Sequence, residues 1–315
     1  MSLLTLFTAP KPFTNPHIAL IQRNALRSWL ALGADDVQVM VIGEEEGLEE
    51  TARELGMLHL QQVARNESGT PLVSSIFNLA RQNSNSPLLA YVNADIILLP
   101  DLVIGAKQVM AQREKFLMVG QRWDLRQETG LDTAEGWDER LLKHLQTAGR
   151  RHPRGGSDYF LYPRTCFEHI PNFAIGRAGW DNWMIYEARQ RGWSVVDTSS
   201  AVNIVHQDHD YSHLPNGQSH YRLPETKVNV RLAGGDRTIF TLEDADCVLD
   251  NGKIKPFPVN AAKFWREVET FPLRKLHSLP LGQLCYAIFH PRRAYREWRA
   301  WLRELKMNQS ETKSA

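Results

Sequence analysis

The stretch Leu88-Leu89-Ala90-Tyr91-Val92-Asn93-Ala94-Asp95-Ile96-Ile97-Leu98 decides the reading of this 315-residue chain. Its apolar first half, bounded by turn residues, reads as a buried strand. A polar Asn-x-Asp stands at the C-terminal end of that strand, where ligands of open α/β sheets bind. Residues two apart on an extended backbone point the same way, so Asn93 and Asp95 can address one site. Asp95 lies between two apolar runs, and a carboxylate there needs a partner, because burying an unpaired charge is expensive. A hard divalent ion bridging a diphosphate is one such partner. A turn cap or a pairing arginine is the competing reading.

Working upstream, strand and helix patterns alternate. Leu3 to Thr8 is a short β-leaning run. Asn15-Pro16 has the form of a helix start, a capping residue followed by proline in the first turn. Ile18, Ile21, Ala25, Trp29 and Leu32 then follow at steps of three and four, and Gly33 ends the helix. Val37 to Ile42 reads as a strand, Gly47 to Leu55 as a helix, Leu58 to Val63 as a short strand, and Thr70-Pro71 as the start of a helix running to Gln82. Downstream, Pro100-Asp101 opens another helix and Phe116 to Val119 forms the next strand. Strands separated by helices favour right-handed crossovers and a mostly parallel sheet. Gln121 to Arg154 reads as loops around one helix, Ser157 to Tyr162 as a strand, Asp181 to Arg191 as a helix with Asp181 at its N-cap, and Ser194 to Val205 as one or two strands. Past Arg237 the alternation weakens, leaving a helix from Arg292 to Leu305 and an unstructured tail from Asn308.

Composition excludes several classes. A formal charge of +1 gives no global signal for nucleic acid. The three cysteines, Cys166, Cys247 and Cys285, lie far apart and form neither a disulfide framework nor a zinc ribbon. With no leader-like segment and no apolar run near the roughly 20 residues of a membrane span, the expectation is a cytoplasmic protein, with a peripheral contact at the inner membrane face left open. The basis for that peripheral contact is the C-terminal segment with Arg292, Arg293, Arg296, Arg299, Trp298 and Trp301, since basic and aromatic groups suit an anionic interface. A helix packed on the core with a solvated basic face is the other reading.

Further segments carry candidate chemistry. Arg65 to Pro71 is a polar loop leading to a capped helix start, which suits anionic or ribose groups. Gly155-Gly156-Ser157-Asp158 allows close approach of backbone to ligand. In Gly176-Arg177-Ala178-Gly179-Trp180-Asp181-Asn182-Trp183 an acid sits between tryptophans, whose faces bind sugar rings, and that acid can take a proton from a hydroxyl. A plain N-cap is its alternative. Finally, Val205-His206-Gln207-Asp208-His209-Asp210-Tyr211-Ser212-His213 gathers metal-ligand residue types at a strand end, with His209 and Asp210 either near a diphosphate or in solvent.

In their order along residues 3 to 215, these segments resemble the GT-A-type glycosyltransferases of the nucleotide-diphospho-sugar transferase superfamily. The resemblance implies a Rossmann-like α/β fold, with a mostly parallel sheet flanked by helices and a helical C-terminal extension. It makes Asp95 the metal ligand and His206 the residue that completes the shell, around Mn2+ or Mg2+. Thr8, Ala9 and Pro10 would line the base pocket, Arg65 would meet the base or diphosphate, and Asn93 a ribose hydroxyl or a metal-bound water. Asp158 would meet the donor-sugar hydroxyls, Trp180 the acceptor, and Asp181 would act as general base. Asn93 departs from the two-acid form of the motif, and Asn182 stands where many relatives carry a second acid.

The expected organisation is a catalytic domain over 1–235, divided into a nucleotide-binding half (1–100) and an acceptor half (101–235), followed by an extension over 236–315. The expected activity is transfer of a sugar from a nucleotide-diphosphate donor to a hydroxyl of a glycan or lipid-linked acceptor, with inversion favoured and retention open. The rivals are a non-catalytic sugar-nucleotide-binding protein, which Asn93 keeps in view, and a metal-dependent phosphoesterase or nucleotidyltransferase. The phosphoesterase would use the His206 to His213 cluster, and the nucleotidyltransferase lacks a Gly-rich triphosphate loop.

Overall fold

The computed structural model describes residues 1–208 and 223–314 and forms two compact units, Met1–Pro258 and Val259–Ala315. The first unit opens with β1 (Leu4–Thr8), α1 (Pro16–Leu30), β2 (Val37–Ile42), α2 (Leu48–Leu55), β3 (Leu58–Leu60), α3 (Val73–Gln82), β4 (Leu88–Val92), β5 (Ile96–Leu98), α4 (Asp101–Met110) and β6 (Phe116–Val119). It continues with β7 (Arg122–Leu125), α5 (Trp137–Ala148), β8 (Arg150–Arg151), β9 (Tyr159–Pro163), α6 (Trp180–Gln190), β10 (Ser194–Asp197), β11 (Ile204–Gln207), α7 (Pro224–Leu232), β12 (Cys247–Asp250) and β13 (Lys253–Pro256).

Nine strands form one sheet in the order β13-β12-β10-β6-β9-β4-β1-β2-β3. It is the expected mostly parallel α/β sheet: β1 runs parallel to β2 and β4, and β10 to β6 and β12, while β9 lies antiparallel between β4 and β6. Every residue of β1, β4, β6 and β9 is buried, as strands covered on both faces require. Helix α1 starts as its sequence dictates: the Asn15 side chain accepts from the N–H of His17 and Ile18 at 2.9 and 3.1 Å, with Pro16 in the first turn.

A second sheet, ordered β5-β11-β7-β8, stands beside the first. The register opposes Val205 to Ile97 and Trp123, and His206 to Ile96 and Asp124. Because faces alternate along each strand, Ile97, Trp123 and Val205 share an apolar face, with Trp137, Leu141 and Leu145 of α5 in the same cluster. His206 and Asp124 share the opposite face.

The expected boundary at 235 moves to Pro258. The reason is β12, which pairs Cys247 and Val248 with Val196 and Asp197 of β10 and so extends the large sheet. The second unit holds α8 (Ala261–Lys275), α9 (Leu279–Phe289) and α10 (Pro291–Ser314), the last running through the stretch expected to be an unstructured tail. Thus the C-terminal extension is helical, as expected, but shorter.

Candidate active site

Parallel β1, β2, β3 and β4 end at one edge of the sheet, which brings Thr8 to Pro10, Gly43 to Glu45 and Asn93 to Asp95 to the same side. The turn carrying Asp95 is fixed from behind by buried polar groups. Gln207 donates its backbone N–H and its Nε2 to the Asp95 carbonyl at 3.3 and 3.1 Å, and gives Nε2 to Ile21 as well. Asn24 donates to Gln207 Oε1 at 3.0 Å, and Trp29 Nε1 donates to the Ile96 carbonyl at 2.8 Å. Ser28 Oγ accepts from the N–H of Leu98 at 3.1 Å. One face of α1 thus holds the turn at Asp95 and the strand that leaves it, a rigid support of the kind a precise site needs.

Around His206 the carboxylates converge. Its Nε2 lies 3.8 Å from Asp95 Oδ2, and its Nδ1 lies 3.6 Å from Asp124 Oδ1 and 3.6 Å from Asp208 Oδ1. Asp124, His206 and Asp208 each offer a ligand atom, all within 4.8 Å of one another. Carboxylate oxygens with an imidazole are a donor set that suits manganese or magnesium. Asp124 and His206 meet because β7 and β11 pair them directly, and Asp95 joins them because β5 pairs with the other side of β11.

Asp124 is only 3% exposed along its side chain and is held by Arg122 Nε at 2.9 Å, His152 Nδ1 at 2.9 Å and Arg150 Nη2 at 3.3 Å. Burial works to raise its carboxyl, but His152 and Arg122 outweigh that and hold it below the usual aspartate range. Burial likewise opposes the charge on Arg122, yet Asp158 and Asp124 keep that guanidinium firmly protonated, above its ordinary value. The Lys11 amine is pushed down by burial and partly restored by the charge of Asp95.

Asp158 connects this cluster electrostatically to Asp181. Arg122 Nη1 reaches its two oxygens at 2.8 and 2.9 Å, and Asn93 Nδ2 donates to Oδ1 at 2.9 Å. Its negative charge in turn acts on Asp181. Burial, with Asp158 adding to it, pushes the Asp181 carboxyl up, against backbone hydrogen bonds from Asn182 and Gly179. A raised carboxyl is the property a general base at neutral pH requires.

Several expected roles change. Asp181 is not the N-cap of α6: the helix begins at Trp180, and Asp181 sits in the first turn and accepts from the Gly179 N–H at 3.2 Å. Gly179, at φ +108°, makes the tight entry that an L side chain would strain. Trp180 does not face an acceptor. It is 5% exposed, with its ring 5.1 Å from Tyr91 edge-on and 5.3 Å from Phe160, so it fills the core beneath Asp181. Asn93 directs its amide at Asp158, and Asp158 is first of all the counter-ion of Arg122.

Arg65 lies on the loop that follows β3, bonded to Glu45 Oε1 at 2.8 Å and to the Gly69 carbonyl at 2.9 Å. Thr8 and Pro10 are buried and Ala9 half-buried at the end of β1. His209 and Asp210 lie outside the described residues.

Sequence reading passed over Lys11, Arg122, Asp124 and His152. The Arg-Trp-Asp-Leu alternation of 122–125 was the available signal, a strand pattern inside a stretch otherwise read as loop.

No family model matches the sequence and no curated protein matches it. Among solved structures the chain is similar to glucosyl-3-phosphoglycerate synthase of M. tuberculosis, at 13% identity over 82% of this chain and 88% of that one, with a TM-score of 0.46. It is also similar to S. aureus TarS 1–349 in complex with UDP-GlcNAc, at 12% identity over 92% and 80%, with a TM-score of 0.47. A third likeness is to the mannosyltransferase PcManGT from Pyrobaculum calidifontis in complex with GDP-Man and Mn2+, at 12% identity and a TM-score of 0.42, covering 67% of this chain and 58% of that one. These neighbours are glycosyltransferases, the class that the sequence motifs resemble. The fold class itself rests on the strand order and register described above.

Proposed function

We propose that this chain is a nucleotide-sugar-dependent glycosyltransferase that moves a sugar from a nucleotide-diphosphate donor to an acceptor hydroxyl. The observation that carries the reading is the convergence of Asp95, on the turn before β5, with Asp124 of β7 and His206 of β11, at the edge where the parallel strands end. Asp95 and His206 are the residues that would hold a divalent cation, Mn2+ or Mg2+, with Asp124 and Asp208 on the far side of the imidazole. When bound, that ion neutralises charge on a departing diphosphate.

The protein's own groups do the rest. Thr8, Ala9, Pro10 and Arg65 border the edge on which a nucleotide would lie. Lys11 adds a cation beside Asp95. Asp181 accepts the proton of the acceptor hydroxyl as its oxygen bonds to the anomeric carbon. The bond from that carbon to the phosphate oxygen breaks, and the nucleoside diphosphate leaves with the electron pair. Displacement from the side opposite the leaving group inverts the anomeric centre.

A panel of nucleoside diphosphates in a thermal-shift experiment, with and without manganese, tests the reading. The expected result is a rise in melting temperature for one base, dependent on the metal and absent in Asp95→Ala. No shift with any nucleotide would overturn it. A phosphoesterase is the second reading, favoured by the Asp124, His206 and Asp208 donors. Phosphate release from a phosphate ester with no acceptor present would support that reading over transfer.

A further inference from the structure

The net charge of +1 conceals a division along the chain. Residues 259–315 hold 11 of the 37 lysines and arginines but only 5 of the 36 acidic residues, a surplus of six positive charges, so the remainder of the chain is net negative. The same unit exposes apolar surface in organised rows. On α8, Phe264, Val268 and Phe271 recur at steps of four and three, and each is about half exposed or nearly so. On α9, which has no charged residue, Leu281, Leu284 and Ile288 recur at steps of three and four, and Ile288 is 67% exposed.

These rows are set by the unit's own packing. A Cβ on Gly282 would come within 2.3 Å of Leu273, so only glycine lets α9 approach α8 this closely. Tyr286 donates to Glu297 at 2.9 Å, and Glu269 lies 3.3 Å from His290. Glu267 is taken up by Lys263 at 3.0 Å and Arg274 at 2.6 Å. Glu267, Glu269 and Glu297 are therefore engaged internally. On α10, by contrast, Arg292, Arg296, Arg299 and Arg303 fall at steps of four, three and four along one stripe, with exposed Trp298 and Trp301 on the opposite face of the helix. Among the described residues no carboxylate pairs with Arg292, Arg293 or Arg296.

We infer that the unit Val259–Ala315 is a docking surface for an anionic phospholipid bilayer, with α8 and α9 supplying apolar side chains to the acyl boundary and α10 supplying arginines to the headgroups. Among the described residues no helix is long and apolar enough to cross a bilayer, so the mode is interfacial. Charge-free apolar rows on α8 and α9, with an α10 that sets arginines on one face and tryptophans on the other, are what an interface of acyl chains below anionic headgroups complements. The inference stands apart from the transferase reading, since it concerns neither the donor nor Asp95.

Vesicle flotation of the full chain tests it, using phosphatidylcholine with and without phosphatidylglycerol. The expected result is flotation with the anionic vesicles, weakened by salt and lost with phosphatidylcholine alone. Neutralising Arg292 and Arg296 to glutamine should weaken partition about fivefold for each arginine. Leu284→Asp with Ile288→Asp should abolish it while the circular dichroism spectrum is kept. In the unaltered chain, brominated lipid should quench tryptophan fluorescence, and less so in Trp298→Phe with Trp301→Phe. Absence of flotation with either vesicle would overturn the inference. So would a dimer seen by analytical ultracentrifugation that the two aspartates dissolve while vesicles leave the chain unbound, because a second copy would then be what covers the surface.

Discussion

The two sheets of the first unit are built on opposite terms. In the large sheet, β1, β4, β6 and β9 are buried along their whole length, and the side chains are almost all apolar. In the small sheet, β7 reads Arg-Trp-Asp-Leu, β8 is two arginines and β11 ends in His-Gln, so half of the pairing brings charges together. The difference separates rigidity from chemistry. Substitutions in the large sheet act on packing, and substitutions in the small one act on charge. Asp95 lies at the junction, on the turn between β4 of the first and β5 of the second. Asp95→Ala is therefore the sharpest test. It removes a half-buried carboxylate from the cluster and leaves both apolar faces intact. Transfer activity should fall by three or more orders of magnitude, roughly 4 kcal/mol of lost transition-state stabilisation, while the melting temperature without ligand stays near that of the parent. Initial rates with manganese, paired with calorimetry, read both. Retained turnover would refute the metal role of Asp95.

In the proposed reaction Asp181, the first-turn residue of α6, is the base. Asp181→Asn keeps the shape and removes the base, so turnover should fall about 10²- to 10⁴-fold with donor binding unchanged. The pH profile gives the sign. The base works deprotonated, so activity is lost as pH falls through its pKa. Because burial and Asp158 raise that pKa above the ordinary aspartate value of 3.8, the acidic limb should lie higher than for an exposed carboxylate. In Asp181→Asn that limb should vanish from the residual rate. A limb that persists unchanged would assign it to another group.

The same contrast explains what could be read from the sequence. The large sheet announces itself because continuous apolar runs of strand length, each followed by a helix start, admit few other folds. That Asp95 and His206 meet, 3.8 Å apart, was legible because each stands at or near the end of such a strand. Asp124 was not. Its strand has four residues, half of them charged, and its partners Arg150 and His152 lie beyond a helix, so only cross-strand pairing reveals them. Asn93 and Asp158 were read as ligand contacts, but they bond to each other. Spacing along a chain says that two polar groups share an edge, and it cannot say whether they face a ligand or one another. The boundary near 235 failed for a related reason: β12 is a short strand, and its place in the large sheet comes from pairing with β10.

Asp124→Asn probes the small sheet alone. Its amide fits the same space but no longer brings charge to Nδ1 of His206. Outer-shell partners of ligating histidines orient the ring and raise its basicity, and their loss costs about 10- to 100-fold in metal affinity. Manganese titration followed by calorimetry should show a weakening in that range. Asp208→Asn, half exposed and less constrained, should show less. Equal and larger losses at Asp124 and Asp208, with Asp95→Ala unaffected, would move the ion to the Asp124, His206 and Asp208 group and away from Asp95.

Trp180→Phe tests the other side of the comparison, where packing rather than charge is at stake. If Trp180 bound a sugar face, losing half the ring system would raise KM for the acceptor and leave stability nearly unchanged. The structure places the ring among Tyr91, Phe160 and Phe77, at centroid distances of 5.1, 5.3 and 6.2 Å. A smaller ring then leaves a gap against β4 and β9, and the cost should be about 1–2 kcal/mol of stability. Asp181, one residue on, keeps its backbone hydrogen bonds, so KM for the acceptor should change less than twofold by this route, on the order of a few tenths of a kcal/mol. Denaturant melts beside acceptor kinetics distinguish the two outcomes. A raised KM with undiminished stability would return Trp180 to the acceptor site, and would show that substitutions over the large sheet do not act on packing alone.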